Sequence, residues 1–377
     1  MRHMFRSLRV FALLFAAAGL LGCTGGETAT DNDNSGGGGG SAGVKRIVFI
    51  TNGPDPFWDA LLSGLKEGEK QSDLKSANLT VQRDVNNGTA EGQIERLRQY
   101  STQDDIAAVA VSVIQADNET IADEMRNLQK KGIKVITVDG DVNRELYRDA
   151  RTYYLGTDNI VGGRTLGTAT GAILKAKNVE SGGYVQFAGY TDNDNARNRM
   201  NGVKETIGEA YIEKDRMADN MDKLRARDNV RNAISNHSDL VALVGIWAYN
   251  APAIADVVVE LGQRDKFVVG TFDAQDLAIG QMEEGNIDVM VVQNPFDMGV
   301  QTVRLLKAML QDDQKTVAEM FPNEGQPEGD IYTTGLRVVV PNADSPVKAE
   351  MFDPKVVEYM VLPDFQAWLK KYGLTSS

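Results

Sequence analysis

The chain has 377 residues, 42 % of them apolar, with 53 acidic and 40 basic side chains and a formal net charge of −13. That balance excludes a nucleic-acid binder, which needs a basic footprint, and offers no polybasic patch for anionic lipid. One Cys and two His exclude an internal disulfide and leave almost no room for a Cys/His zinc site or a His-based nucleophilic centre. The length suits two domains.

Arg2, Arg6 and Arg9 lead into an apolar run, Val10–Leu21, too short to span a bilayer and right for the core of a secretion signal. It ends in Leu20-Leu21-Gly22-Cys23, which resembles a lipoprotein cleavage site with Leu21 where a smaller residue is common. The only Cys of the chain stands there. Residues 1–22 therefore read as a signal peptide, and Cys23 as the lipidated first residue of the mature chain. Residues 24–43 carry Asp31-Asn32-Asp33-Asn34-Ser35 and Gly36–Gly40, cannot bury apolar surface, and read as a flexible tether. No Lys-Ser/Thr follows the glycines, and the twelfth position from Asp31 is Ala42. Neither a phosphate loop nor a calcium loop fits.

The body alternates strands and helices. Lys45–Ile50 reads as a strand, and Trp58, Leu61, Leu62 and Leu65 mark one helix face. Ile106–Ile114 is a buried strand; Ile121, Met125 and Leu128 mark a helix that Gly132 ends; Lys134–Val138 is a strand. Further on, helices over Ile160–Lys177 and Ala196–Glu209 flank a strand at Tyr184–Phe187. Strands at Leu240–Ile246, Phe267–Gly270 and Val289–Val292 are each followed by a helical pattern, the last through Val300, Val303, Leu306 and Leu310. Phe365, Leu369 and Tyr372 mark a terminal helix. Near-continuous apolar strands between helices predict parallel sheets covered on both faces. So long a body predicts an α/β fold of two doubly wound lobes.

In such sheets ligands bind beyond the carboxyl ends of the strands. The residues there are Asn52 and Asp55, Asp139, Asp192–Arg199, Trp247, Tyr249 and Asn250, Asp273, and Gln293 with Asn294. They are carboxylates, amides, Arg and aromatics, with no nucleophile elbow.

Four segments then carry a resemblance: Asp55-Pro56-Phe57-Trp58, Val135–Asp139, Gly156-Thr157-Asp158-Asn159-Ile160-Val161-Gly162-Gly163 and Gly270-Thr271-Phe272-Asp273, and Asn195–Gly202 fits an Arg-bearing segment of the same family. In order and spacing the chain resembles the periplasmic sugar-binding proteins of the ribose/galactose-binding type over roughly residues 44–340. The resemblance implies the type I periplasmic binding protein fold, with a three-segment hinge. It implies that Asp55, where the family often has Asn, or its neighbour contacts the sugar, that Phe57 and Trp58 pack on the ring, and that Asp139 binds hydroxyls. Arg197 would bind from the second lobe, with Arg199 as a partner inside the protein, and Asp273 and Gln293 would supply the late carboxylate and amide. Where the ribose-binding type has an Arg after the Asp, this chain has Gly140, then Asp141. Trp247-Ala248-Tyr249-Asn250 replaces the usual amide, with Tyr249 or Asn250 in its role. Trp58 equally fits the Leu61/Leu62/Leu65 face, and Trp247 equally fits a core.

A sugar suits this set. Aromatic faces take its C–H surface, ionised Asp accepts hydroxyl protons, and Arg donates to oxygens. The resemblance implies a binding protein rather than an enzyme, monomeric, without cofactor or metal, that hands a monosaccharide or related polyol to an ABC import permease. A sensor of the same fold is the alternative. A transcriptional regulator would carry its DNA-reading helices where the tether stands. Asp139 and Asp273 would be the pair for a glycosidase, but nothing in the sequence sets their pKa values apart. The expected first lobe is 44–157 plus 294–337, the second 158–293 plus 338–377, with crossings near Gly156–Asp158, Gln293–Asn294 and Arg337–Pro341.

Overall fold

The computed structural model describes residues 43–377; the signal peptide, Cys23 and nearly all of the tether lie outside them. The first lobe starts with β1 (Lys45–Ile50), α1 (Phe57–Gln71), β2 (Leu79–Asp84), α2 (Ala90–Ser101), β3 (Ile106–Val111), α3 (Glu119–Lys130), β4 (Lys134–Val138) and β5 (Tyr154–Gly156). The chain then enters the second lobe through α4 (Asn159–Ala176), β6 (Gly182–Ala188), α5 (Asp194–Thr206), β7 (Tyr211–Ala218), α6 (Lys223–Asn236) and β8 (Leu240–Gly245). There it continues with α7 (Asn250–Glu260), β9 (Val268–Phe272), α8 (Asp276–Glu283) and β10 (Val289–Val292). It returns to the first lobe for α9 (Pro295–Leu310), α10 (Gln314–Met320) and β11 (Ile331–Thr333). It ends in the second with β12 (Leu336–Val340), β13 (Val357–Val361) and α11 (Leu362–Lys371).

The first sheet runs β11-β5-β4-β3-β1-β2 and is parallel throughout; the second runs β13-β12-β10-β9-β8-β6-β7, with only the β10–β12 pair antiparallel. Each sheet face carries its own core. In the first lobe α1 and α9 cover one face and α2 and α3 the other; in the second, α4 and α5 oppose α6, α7, α8 and α11. Every residue of β3, Ile-Ala-Ala-Val-Ala-Val, is buried, as a strand covered on both sides requires. Helix starts are fixed by Thr89, Asn118, Asp158 and Asp222, whose side chains accept backbone N–H groups of the first turn. Alpha helices α1 and α9 touch backbone to backbone: a Cβ at Gly64 would lie 1.9 Å from the Phe296 carbonyl oxygen.

Three segments join the lobes. They follow β5 at Gly156–Asp158, β10 at Gln293–Asn294, and β11 at Thr334–Gly335. The third differs from the expected Arg337–Pro341. Those residues form most of β12, which joins the second sheet between β10 and β13 because Val338, Val339 and Val340 are wholly buried there.

Candidate functional site

On the first lobe, β4 delivers Asp139 in the left-handed region at φ 64°, its N–H donating to the Leu155 carbonyl at 2.8 Å. Such a backbone is uncommon for any residue with a Cβ and is tolerated best by Asp and Asn. Ser112 donates to the Asp139 carboxylate at 3.4 Å, and the buried Tyr154 hydroxyl donates to its carbonyl at 3.1 Å. Buried Gln93 ties the ends of β1 and β3 together, donating to the Thr51 and Ser112 carbonyls at 3.2 and 2.8 Å. Asp55 stands exposed at the entry to α1, where its carboxylate accepts the Phe57 N–H at 2.9 Å.

The second lobe repeats the device. Asp273 follows β9 at φ 60° and donates its N–H to the Val291 carbonyl at 2.8 Å. Gln293 donates its side-chain amide to both Asp273 oxygens at 3.1 Å, and Thr157 donates to Gln293 Oε1 at 2.8 Å. This chain of bonds ties the first crossing to the second. Arg199, 3 % exposed, comes from α5 and lies 3.8 Å from the Asp273 carboxylate and 4.5 Å above the Phe272 ring. It also donates to Asn159 Oδ1 at 2.9 Å and to the Ile246 carbonyl at 3.2 Å.

These groups share one electrostatic site between the lobes. Burial pushes the Asp139 carboxyl up to about 6; Arg199 opposes the rise, and Asp273 and Asp55 add to it. Burial likewise raises Asp273, against the pull of Arg199 and Gln293. Asp55 is raised by lost hydration, a smaller matter at so exposed a position, and Lys223 of α6 opposes the rise from across the cleft. Asp139 and Asp273 thus face one deeply held guanidinium, with Asp55 adding negative charge nearby.

The other expected residues have varied surroundings. Arg197 pairs with Asp194 at 2.6 Å, with its side chain 52 % exposed. Two residues span roughly 200° of helix, so Arg197 faces water while Arg199 shares the inner face with Ala196, Met200 and Val203. Trp58 is 2 % exposed and packs in the first-lobe core, 5.5 Å from the Phe49 ring. Half-buried Phe57 meets it edge-on at 4.9 Å. Trp247 is half-buried between Tyr190 and Tyr249, with its indole N–H on Asn195 at 3.0 Å. Asn250 is buried and internally satisfied, accepting the Trp247 N–H at 3.1 Å and donating to Asp219 at 2.9 Å. Tyr249 donates its hydroxyl to the same Asp219, a buried carboxylate that the sequence reading passed over. The exposed Met221, at φ 65°, lies against Tyr249.

Gly140 has a structural reason. A Cβ there would sit 2.6 Å from the Val113 carbonyl oxygen and 3.0 Å from Ser112 Oγ. Asp141 turns away from the cleft onto buried Arg151, at 2.9 Å, and onto Arg144, at 2.8 Å. Gly140→Ala is expected to destabilise the first lobe by about 1–3 kcal/mol, measured by urea unfolding; wild-type stability would mean the neighbouring strand gives way freely.

The D-allose-binding periplasmic protein of Escherichia coli (strain K12) is 22 % identical over 295 residues, covering 76 % of this chain and 89 % of that protein. Among solved structures, an ABC transporter solute-binding protein from Burkholderia graminis C4D1M in complex with D-arabinose superposes with a TM-score of 0.65 at 24 % identity, over 80 % of this chain and 96 % of that one. One from Actinobacillus succinogenes 130z with bound D-allose gives 0.66 at 16 % identity, over 78 % and 97 %. At such identities these structures show the shared two-lobed architecture. The periplasmic binding protein domain matches residues 47–315, most of the chain, and the chain therefore belongs to the periplasmic binding protein family.

Proposed function

We propose that this protein captures a monosaccharide or related polyol between its lobes, outside the cytoplasm, and passes it to an ABC import permease while tethered to the membrane through lipidated Cys23. One observation carries the reading: Asp139, Asp273 and Arg199, from two sheets and a helix, share a single interlobe site. Charged acceptors of that kind bind hydroxyl protons strongly. Phe57 on one wall and Trp247 and Tyr249 on the other offer ring surface for the C–H face of a sugar. The relatives named above that bind D-allose and D-arabinose make those two sugars the first to try.

The test is a thermal-shift panel of pentoses, hexoses and inositols. One or a few members should raise the melting temperature, with a stabilisation that grows with the logarithm of their concentration and reaches about 2.7 kcal/mol at a hundredfold excess over Kd. A panel that moves nothing, with no small molecule released on denaturing the purified protein, would sink the proposal. Isolation of the membrane partner distinguishes delivery to a permease from signalling to a receptor.

A further inference from the structure

We propose that residues 357–377 form a brace across the hinge that positions Asp273 and limits how freely the lobes part. The brace is rooted in the second lobe, where Phe365 and Leu369 of α11 are buried in the same core as Ala274, Val292 and Val339. The stripe they begin, at i, i+3, i+4 and i+7, continues through Trp368 and Tyr372 and reaches the first lobe. Trp368 meets the Phe296 ring edge-on at 5.8 Å, and Tyr372 lies 4.3 Å from it. Phe296 opens α9, just past the second crossing, and its carbonyl is seated on Gly64 of α1.

The third crossing is gripped as well. Arg337, 4 % exposed and two residues past Gly335, lies 4.1 Å from the Trp368 ring centre. It is paired at 3.1 Å with Glu358 of β13 and sits within reach of Asp297 in the first turn of α9. Trp368 is therefore held between the residues that follow two of the three crossings. Rotation of one lobe on the other moves Phe296 against α11 and has to shear these stacked rings.

The end of the segment touches the site itself. Ser377 and Ala274 exchange both backbone hydrogen bonds at 3.0 Å, and both residues are buried. Ala274 follows Asp273, whose own N–H is already held by Val291. The left-handed turn that presents the carboxylate is thus fixed on both sides.

The brace acts on binding through the population of closure-competent molecules, since apparent affinity falls with that fraction. The test uses the full chain with spin labels at Leu146→Cys and Leu277→Cys, exposed positions on opposite lobes. Trp368→Ala with Tyr372→Ala should broaden the interlobe distance distribution of the free protein and raise Kd for the best sugar of the panel by about tenfold. Trp368→Phe should restore most of both. Phe296→Ala, made from the other lobe, should do the same as the double variant and serves if that one fails to fold. Removing Ser376 and Ser377 should weaken binding while leaving the distances unchanged. Folded ring variants (Trp368→Ala with Tyr372→Ala, or Phe296→Ala) with the wild-type distance distribution would overturn the brace. The affinity arm rests on the sugar-binding reading and the distance arm does not, so broadened distances with no sugar bound would uphold the brace and refute that reading.

Discussion

Replacing Asp139 with Asn is expected to make the free protein more stable at neutral pH and a markedly weaker binder. The sign follows from the raised carboxyl. With a folded value of about 6 against an unfolded value near the usual 3.9, the native state holds the extra proton between those two values. The contribution of Asp139 to stability is therefore greatest below about pH 4 and declines as pH rises through 6. Above pH 6 the protein carries a charge that burial disfavours, and Asn removes it at the same size. The gain is about 2 kcal/mol once the residual solvent contact of Asp139 is allowed for. Asn also tolerates the left-handed backbone that Asp139 adopts at φ 64°. The bound sugar loses a charge-assisted acceptor, which is expected to weaken Kd by about 10- to 100-fold. Wild-type affinity should fall below pH 6 as Asp139 takes up its proton, and the Asn variant should show a smaller change between pH 5 and 8. Calorimetric melts and titrations across that range check both halves, and an unchanged affinity in the variant would remove Asp139 from the ligand contacts.

The second large effect separates two arginines two residues apart. Arg199→Ala leaves Asp273 buried beside Asp139 with no cation, a change that costs about 3–5 kcal/mol when a buried pair is broken. The melting temperature should fall by roughly 10 °C, and ligand binding should be lost. Asp273 would then titrate higher still, so the variant should regain stability as pH is lowered toward 5. Loss through packing alone would show no such recovery. Arg197→Ala removes only an exposed i, i+3 pair with Asp194 and should change stability by less than about 0.5 kcal/mol. If the two variants behave alike, the assignment of roles is wrong.

The central strands were legible because burial on both faces leaves runs such as Ile106–Val111 and Val289–Val292 with no polar residue to mislead. The edges were not. β2 reads Leu-Thr-Val-Gln-Arg-Asp and β7 reads Tyr-Ile-Glu-Lys-Asp-Arg-Met-Ala, charged because each borders its sheet and one side meets water. β5 and β11 are three residues each, too short for any period. In the site, strand ends pointed to Asp139, Asp273 and Gln293, since topology alone puts the residue after a parallel strand at the cleft. Helical phase puts Arg199 on the buried face with Met200 and Val203, while the family segment points to Arg197. Asp219 carries no local signature, because its role depends on Tyr249 and Asn250 arriving from thirty residues away. The contact of Ser377 with Ala274 is equally silent in the sequence.

Asp139 and Asp273 leave their strands by the same backbone twist, each with its N–H committed to the neighbouring strand. In the proposed complex the sugar is therefore held at opposite ends by two copies of one fitting. Recognition at either end can drift by mutation without disturbing the other, which gives such a molecule a route to a new epimer through changes confined to a single wall.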